Sequence, residues 1–428
     1  MHEANNKGPI ELRVSAPSQM GYISTITDMT YLNKLSVTAI RILIVGACGL
    51  GIWQSWTLAR AGFLFNQDTE TSVRAAIREV PDAWPYYMRL AQFDQPNARP
   101  LLNKALELNR YNAQADIELA LQAEAGEDYD QAEHLMLAAF DVDRTYLPRW
   151  SLANFYLRRD NLPAFWYWAR SAVAVPSQDI SPLFDLCWRV APDSKTIATI
   201  LPDGNTETLR QFIDFLLGRN EVHQAGLLAQ RLVVVGDESV DRPRILGVID
   251  RLVADNDTST AIALWRTSIQ RQWVAADLAE PNNPSFARQP VTVSFDWNIP
   301  DYAGLHSWPG SSGLETEFSG EEPEDATIAE QVLALPPGTY NVSYSYRTAG
   351  MAPDTGIRWQ MFDAKSGQIL AESKDLSSET STRTGFQVSV LKDVPFVRLI
   401  LNYNRALGTP RIAGTLVIEW VQIEAQPQ

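Results

Sequence analysis

Four rings fall close together in a stretch rich in loop formers: Trp297, Tyr302, His306 and Trp308, in and beside NIPDYAGLHSWPGSSG. Bulky rings on a loop are not needed to pack strands. Their flat apolar faces and polar edges suit stacking against a sugar ring. These four are the candidate glycan contacts, with packing on the rim of a β-domain as the other reading for Trp297 and Trp308. Trp359 and Trp420 fall in strand-like runs and read as core. Carboxylates cluster at Glu315, Glu317, Glu321, Glu322, Glu324 and Asp325. Cleavage of a glycosidic bond needs two carboxyl groups opposed across a cleft, whereas a contiguous run reads as a solvated loop. The acidic run Glu124–Asp130 reads the same way. The four histidines (His2, His134, His223, His306) are scattered, so no metal constellation forms. The two cysteines, Cys48 in an apolar run and Cys187 beside Trp188, make an improbable pair.

Other chemistry has no carrier. There is no Gly-x4-Gly-Lys-Ser/Thr, His-Glu-x2-His, Cys-x2-Cys or Gly-x-Ser-x-Gly. Gly46, Gly49 and Gly51 lack the Gly-x-Gly-x-x-Gly order and lie inside the apolar run, where small residues let another helix approach. No catalytic residue, cofactor or metal site is assigned, and the expectation is a binding protein rather than an enzyme. The net charge of −15, from 36 basic and 51 acidic residues, argues against a nucleic-acid partner.

The elements that would position these residues fall into four blocks. Residues 1–35 are polar and aperiodic and read as a disordered tail. Residues 36–64 hold an uncharged run, Ile42–Leu58, bracketed by Arg41 and Arg60. Its length approaches the roughly 20 residues a spanning helix needs, and it is expected to be a transmembrane helix; a buried first helix of the following array is the alternative. The flanking charge is nearly balanced, and a short cytoplasmic tail with a translocated body is favoured because long domains cross regardless of charge.

Residues 69–279 carry a helical period with a longer repeat. Asp116-x2-Leu119-Ala120-x2-Ala123 is followed by Gly126, Tyr129 and Ala132-x3-Met136-x2-Ala139. Related spacing recurs, with marker alanines at 98, 132, 164, 198, 225 and 261, in steps of 34, 32, 34, 27 and 36 residues. The unit at 184–202 is degraded and closed early by Pro202. Val73-x2-Ala76-x4-Pro81 fits a leading half-unit, so the apolar span could run into the array with little slack. This pattern resembles the tetratricopeptide repeat, a helix pair of 34 residues; a generic α-solenoid is the alternative. The resemblance implies stacked pairs with a groove for a protein partner.

Beyond Pro281-Asn-Asn-Pro284 the chain turns to alternating runs: 291–297, 339–348, 356–364, 385–391, 396–404 and 414–424. Residues 282–425 therefore read as an antiparallel β-sandwich. Asn283-Pro-Ser-Phe286, Phe295-Asp296-Trp297, Leu335-Pro-Pro-Gly338-Thr-Tyr340, Arg358-Trp359 and Gly414–Val421 resemble the galactose-binding-like, jelly-roll modules that include many carbohydrate-binding modules. In the Pro-Gly corner, Gly338 is expected at a positive-φ position. The resemblance implies a calcium site against Glu419, but no second acidic ligand stands near Phe286, and no calcium is assigned.

The expected fold is thus multidomain: one N-terminal transmembrane helix, an α-solenoid of tetratricopeptide-like pairs, then a jelly-roll-like β-sandwich. The expected function is a non-catalytic membrane-anchored scaffold. Its repeats bind a protein partner and its sandwich binds a polysaccharide or another subunit. The layout resembles accessory proteins of bacterial exopolysaccharide assembly and export, which implies the inner membrane with the bulk of the chain in the periplasm. The alternatives are a carbohydrate-active enzyme with an unrecognised carboxylate pair and a soluble cytosolic repeat adaptor.

Overall fold

The structure is a computed structural model that describes residues 22–276, 281–291, 293–351, 354–405, 408 and 410–426. The chain divides into two compact units, Met1–Arg144 and Thr145–Gln428.

The first unit holds α1 (Tyr22–Asn66), α2 (Glu70–Glu79), α3 (Trp84–Phe93), α4 (Ala98–Leu108), α5 (Ala113–Ala125) and α6 (Tyr129–Val142). Helix α1 starts earlier than the spanning segment expected at 36. Residues 22–35, expected in a disordered tail, are helical, because no Gly or Pro interrupts the sequence between Tyr22 and Gly46. The expected tail over 1–21 lies outside the described residues. Residues Ala39–Asn66 are long and apolar enough to cross a membrane. Ile42, Trp53 and Trp56 are each more than 65% exposed, so this is not a buried core helix. Only its end joins the array: Ala61 is buried, α1 packs on α2, and Phe65 meets Tyr86 at 4.8 Å.

The second unit holds α7 (Tyr146–Arg158), α8 (Leu162–Val173), α9 (Ser181–Val190), α10 (Ser194–Ala198), α11 (Thr206–Gly218), α12 (Val222–Val235), α13 (Glu238–Ala254) and α14 (Thr258–Gln270), followed by nine strands. One turn recurs within helix pairs of both units. A residue takes the left-handed conformation (Asp68, Glu127, Asp160, Asn220 and Asn256), and the next residue opens the second helix. At four of the five, that next side chain (Thr69, Asp128, Asn161, Asp257) accepts from the N–H three residues on, capping the helix. Its own N–H closes the preceding helix at Asp128, Asn161, Glu221 and Asp257, reaching back to Ala123, Tyr156, Leu216 and Leu252 carbonyls.

Small residues at the pair contacts are buried as the repeat requires: Ala98, Ala105, Ala132, Ala139, Ala225, Ala229 and Ala261. Two markers are corrected. Ala164 is only half-buried, and the buried set on α8 is Phe165-x3-Ala169-x2-Ala172, one residue later. Ala198 is also half-buried, and α10 spans five residues, so the degraded unit is truncated as its early proline suggests. Successive first helices are tied by Arg–Asp pairs, including Arg219–Asp185, Arg210–Asp241 and Arg244–Asp214.

The sandwich has two antiparallel sheets. β1 (Leu305–Gly310), β2 (Gly313–Ser319), β9 (Ala413–Ala425), β4 (Gly338–Ala349) and β7 (Thr382–Val390) form one, in the order β1-β2-β9-β4-β7. β3 (Asp325–Leu333), β8 (Val397–Asn404), β5 (Ile357–Asp363) and β6 (Ile369–Glu372) form the other, in the order β3-β8-β5-β6. Their facing sides enclose one core that includes Trp297, Trp359, Tyr344, Tyr403, Leu416 and Ile418. Three expectations change here. Residues 293–297 form turns rather than a strand. Gly338 opens β4, paired with Val390, rather than taking a left-handed turn position; the corner is closed by Tyr340 Oη donating to the Pro336 carbonyl at 2.6 Å. The acidic run is only partly a loop: Glu321, Glu322 and Glu324 lie between β2 and β3, but Glu315 and Glu317 stand on β2, Asp325 opens β3, and Glu322 is wholly buried beneath Tyr403.

Within the second unit the sandwich is seated on the last helix pair. Asp250 of α13 accepts from the Ser294 N–H at 2.8 Å and its hydroxyl at 2.5 Å. Trp265 of α14, Phe295 and Phe396 stack in series at 5.8 and 5.9 Å.

Candidate functional site

The outer side of the five-stranded sheet gathers aromatic and charged side chains in register. Alternation along a strand sends every second residue outward. On β1 these are His306 and Trp308, and on β2 Glu315 and Glu317, with Trp308 opposite Glu315 and His306 opposite Glu317. Glu315 lies beside Val417 of β9, and Val417 beside Arg347 of β4. A row therefore runs Trp308, Glu315, Val417, Arg347 across four strands. The adjacent row runs Trp420 of β9, Ser345 of β4, Arg383 of β7. The next two are Gln422, Ser343, Gly385 and then Glu424, Asn341, Gln387.

Each ring reaches this face for a local reason. Trp308 follows from the pleat of β1 and is 42% exposed. Trp420 follows from a bulge: Ser345 pairs with Trp420 and the next residue, Tyr346, pairs with Ile418, so Glu419 is an extra residue on β9. The bulge reverses the phase of the strand. Ile418 points into the core, Trp420 points out, and Val421 returns to the core. Two strand spacings and one step along the strand separate the two tryptophans, roughly 12 Å. An occupant that touches both is an oligomer rather than a single sugar.

The polar groups between them are ordered. Glu419 accepts from the Ser345 hydroxyl at 2.7 Å and the Ser381 hydroxyl at 2.9 Å, and Arg347 lies 4.0 Å away. The Arg383 guanidinium lies over the Trp420 ring, 5.1 Å from its centroid. Only small Ser345 stands between the two strands in that row, so Arg383 can reach across it. At one end of the face, residues Ser285, Arg288, Gln289, Pro309, Gly313 and Glu419 help to line a cavity of about 320 Å³.

The structure separates the four candidate rings. Trp297 is 1% exposed and cannot meet a ligand: its Nε1–H donates to the Asn283 carbonyl at 3.2 Å, and it packs against Phe286 and Trp359 in the core. The irregular segment 294–298 lies against β3, where the Val332 N–H donates to the Ser294 carbonyl and Asn298 pairs with Glu330, and Trp297 is held in the core beside it. Tyr302 is half-buried against the core. His306 is exposed, with Nδ1 2.6 Å from Asp301. Trp308 stands on a strand rather than on a loop, on the same side as His306. Trp420, Arg347 and Arg383 were not foreseen; Trp420 was expected in the core. Among the described residues no group of three metal-ligating side chains converges. Glu419, weighed from the sequence as a calcium ligand, is held by two hydroxyls and shares its cavity with Arg288, a donor set that does not suit a dication.

No protein-family model and no curated protein matches this chain. Among solved structures it is similar to a family 4 carbohydrate-binding module, at 14% identity over 34% of this chain and 99% of that one, with a TM-score of 0.27. It is similar to a family 61 module, TmCBM61, described in complex with β-1,4-galactotriose, at 13% identity over 34% and 96%, with a TM-score of 0.25. It is also similar to YrrB, described as a tetratricopeptide-repeat protein with an unusual peptide-binding site, at 14% identity over 48% and 94%, with a TM-score of 0.23.

Proposed function

We propose that this chain is a non-catalytic, membrane-tethered scaffold whose β-sandwich (282–425) holds a glycan chain along the outer side of its five-stranded sheet. The observation that carries the reading is the pair of outward tryptophans, Trp308 and Trp420, roughly 12 Å apart on one face, with the carboxylates Glu315 and Glu419 and the Ser345 hydroxyl beside them. Exposed rings supply stacking and ordered polar groups supply orientation. Tyr302 and His306 flank the Trp308 end as secondary contacts. The repeats (69–279) hold a protein partner in their groove. Residues 36–64 anchor the chain in a bacterial inner membrane as a single pass, with the bulk in the periplasm. In exopolysaccharide assembly or export, such a protein would keep a polymer beside the machinery that makes or moves it.

The test is a glycan array probed with the full chain in detergent and with Trp308→Ala. The reading expects binding to at least one polysaccharide that the variant loses. Absence of binding to every polysaccharide, or identical profiles, would count against it. Fractionation with protease protection tests the tether: the expected product is membrane-bound, with the repeats and sandwich digested only from the periplasmic side.

A further inference from the structure

We infer that the glycan held on this face is acidic, its carboxylate docking between Arg347 and Arg383; this rests on the reading of the face as a glycan site. The chain carries a net charge of −15, and several of its repeat arginines are tied to carboxylates, as Arg210, Arg219, Arg231 and Arg244 show, while Arg251 and Arg271 bond to an amide oxygen and a carbonyl instead. Among the described residues Arg383 has neither kind of partner, and its guanidinium carbon lies over the Trp420 ring, 5.1 Å from the centroid. A guanidinium held over a ring face spends no hydrogen bond there, and its fork of N–H groups matches a carboxylate.

Arg347 is its diagonal neighbour on the same face. Arg383 lies opposite Ser345, and Arg347 is the next outward residue along β4. Diagonal neighbours on adjacent strands sit about 7–8 Å apart, so the two positive charges repel unless an anion lies between them. Glu419 supplies only part of one. It stands 4.0 Å from Arg347, and its Oε2 is already taken by Ser345 and Ser381. The Arg347 side chain is 46% exposed. Glu315 and Glu317 lie on β2, on the other side of Val417, so the positive ground is confined to the β4–β7 half. A glycan crossing the face therefore sets an acidic ring beside Trp420, away from Glu315 and Glu317. The guanidinium fork favours a planar carboxylate, so the acidic ring is a uronate.

The experiment titrates the full chain in detergent with hexamers of galacturonate, mannuronate and glucuronate, each paired with its carboxyl-reduced neutral counterpart. At low salt at least one acidic hexamer is expected to bind about tenfold tighter than its neutral partner. That margin should collapse at 0.5 M NaCl, where exposed charges are screened. Arg383→Gln should abolish the margin while leaving the thermal midpoint unchanged. Neutral hexamers that bind as tightly as acidic ones, or an Arg383→Gln protein that keeps the preference, would overturn the inference and leave the face as a glycan site. Failure of all six to bind would overturn the inference, and the glycan array separately decides whether the face is a glycan site.

Discussion

Asp241→Ala should unlock the second half of the repeat array. The Asp241 side chain is wholly buried, and the Arg210 side chain is 15% exposed. Asp241 accepts from Arg210 Nε at 2.6 Å and Nη2 at 3.0 Å, and from the Asp237 N–H at 3.0 Å. Alanine leaves Arg210 with only the exposed Glu207 and leaves the Asp237 N–H without its acceptor. Breaking one side of a buried pair costs about 3–5 kcal/mol. Asp241→Asn keeps the shape and one acceptor and should cost about 1–3 kcal/mol. Urea unfolding of the full chain, followed by Trp fluorescence, measures both. The pair also sets a pH dependence. Burial opposes the Asp241 charge most, but the Arg210 fork, the Asp237 N–H and the Arg244 charge together outweigh it and hold the carboxyl below the usual aspartate range. A lowered folded pKa contributes stability that is complete above the unfolded value, near pH 4, and is lost as pH falls through the folded one. Wild type should lose this component below about pH 4, and Asp241→Asn should lack it. An Asp241→Ala loss under 1 kcal/mol, or additive losses in a double-mutant cycle with Arg210→Ala, would refute the coupling.

Three further outcomes follow from named contacts. Trp297→Ala should cost about 3–5 kcal/mol by removing a core ring, whereas Trp308→Ala should leave the thermal midpoint unchanged; calorimetry separates them. Gly226→Ala should destabilise by about 1–3 kcal/mol in the same assay, because a Cβ there would meet Thr260 Cγ2 at 2.6 Å and Leu252 Cδ1 at 2.9 Å. Burial pushes the Cys187 thiol up to about 12, leaving Cys48 as the reactive cysteine. In intact membranes Cys48 should resist an impermeant maleimide, and detergent should expose it; labelling without detergent would place the segment outside the bilayer.

The repeat was legible because helix pairs demand small residues at fixed spacing, and Ala132-x3-Met136-x2-Ala139 meets that demand directly. The register slipped on α8, where Ala164 and Phe165 are adjacent and only packing chooses between them. Strands β4, β5, β7, β8 and β9 announce themselves by alternation, whereas β1 carries Pro309 and Gly310 and reads as loop. The run 291–297 alternates, but residues 293–297 form no strand, because Phe295 packs towards α14 and Trp297 into the sandwich. Trp308 was found because a ring in a Pro-Gly setting needs a reason. Trp420 was missed because counting by twos from Leu416 and Ile418 places it in the core. The one-residue bulge at Glu419 that turns it outward depends on a partner strand far away in sequence.

The central claim is that Trp308 and Trp420 hold two points of one glycan chain. Calorimetric titration of the full chain with an oligosaccharide series of increasing length tests it most directly, using a glycan that binds on the array. Affinity is expected to rise with length until the oligomer spans both rings and then level off. Trp308→Ala and Trp420→Ala should each weaken the long oligomers by about tenfold, or 1.4 kcal/mol, and remove the length dependence. Affinity independent of length, or unaffected by either substitution, would contradict the account.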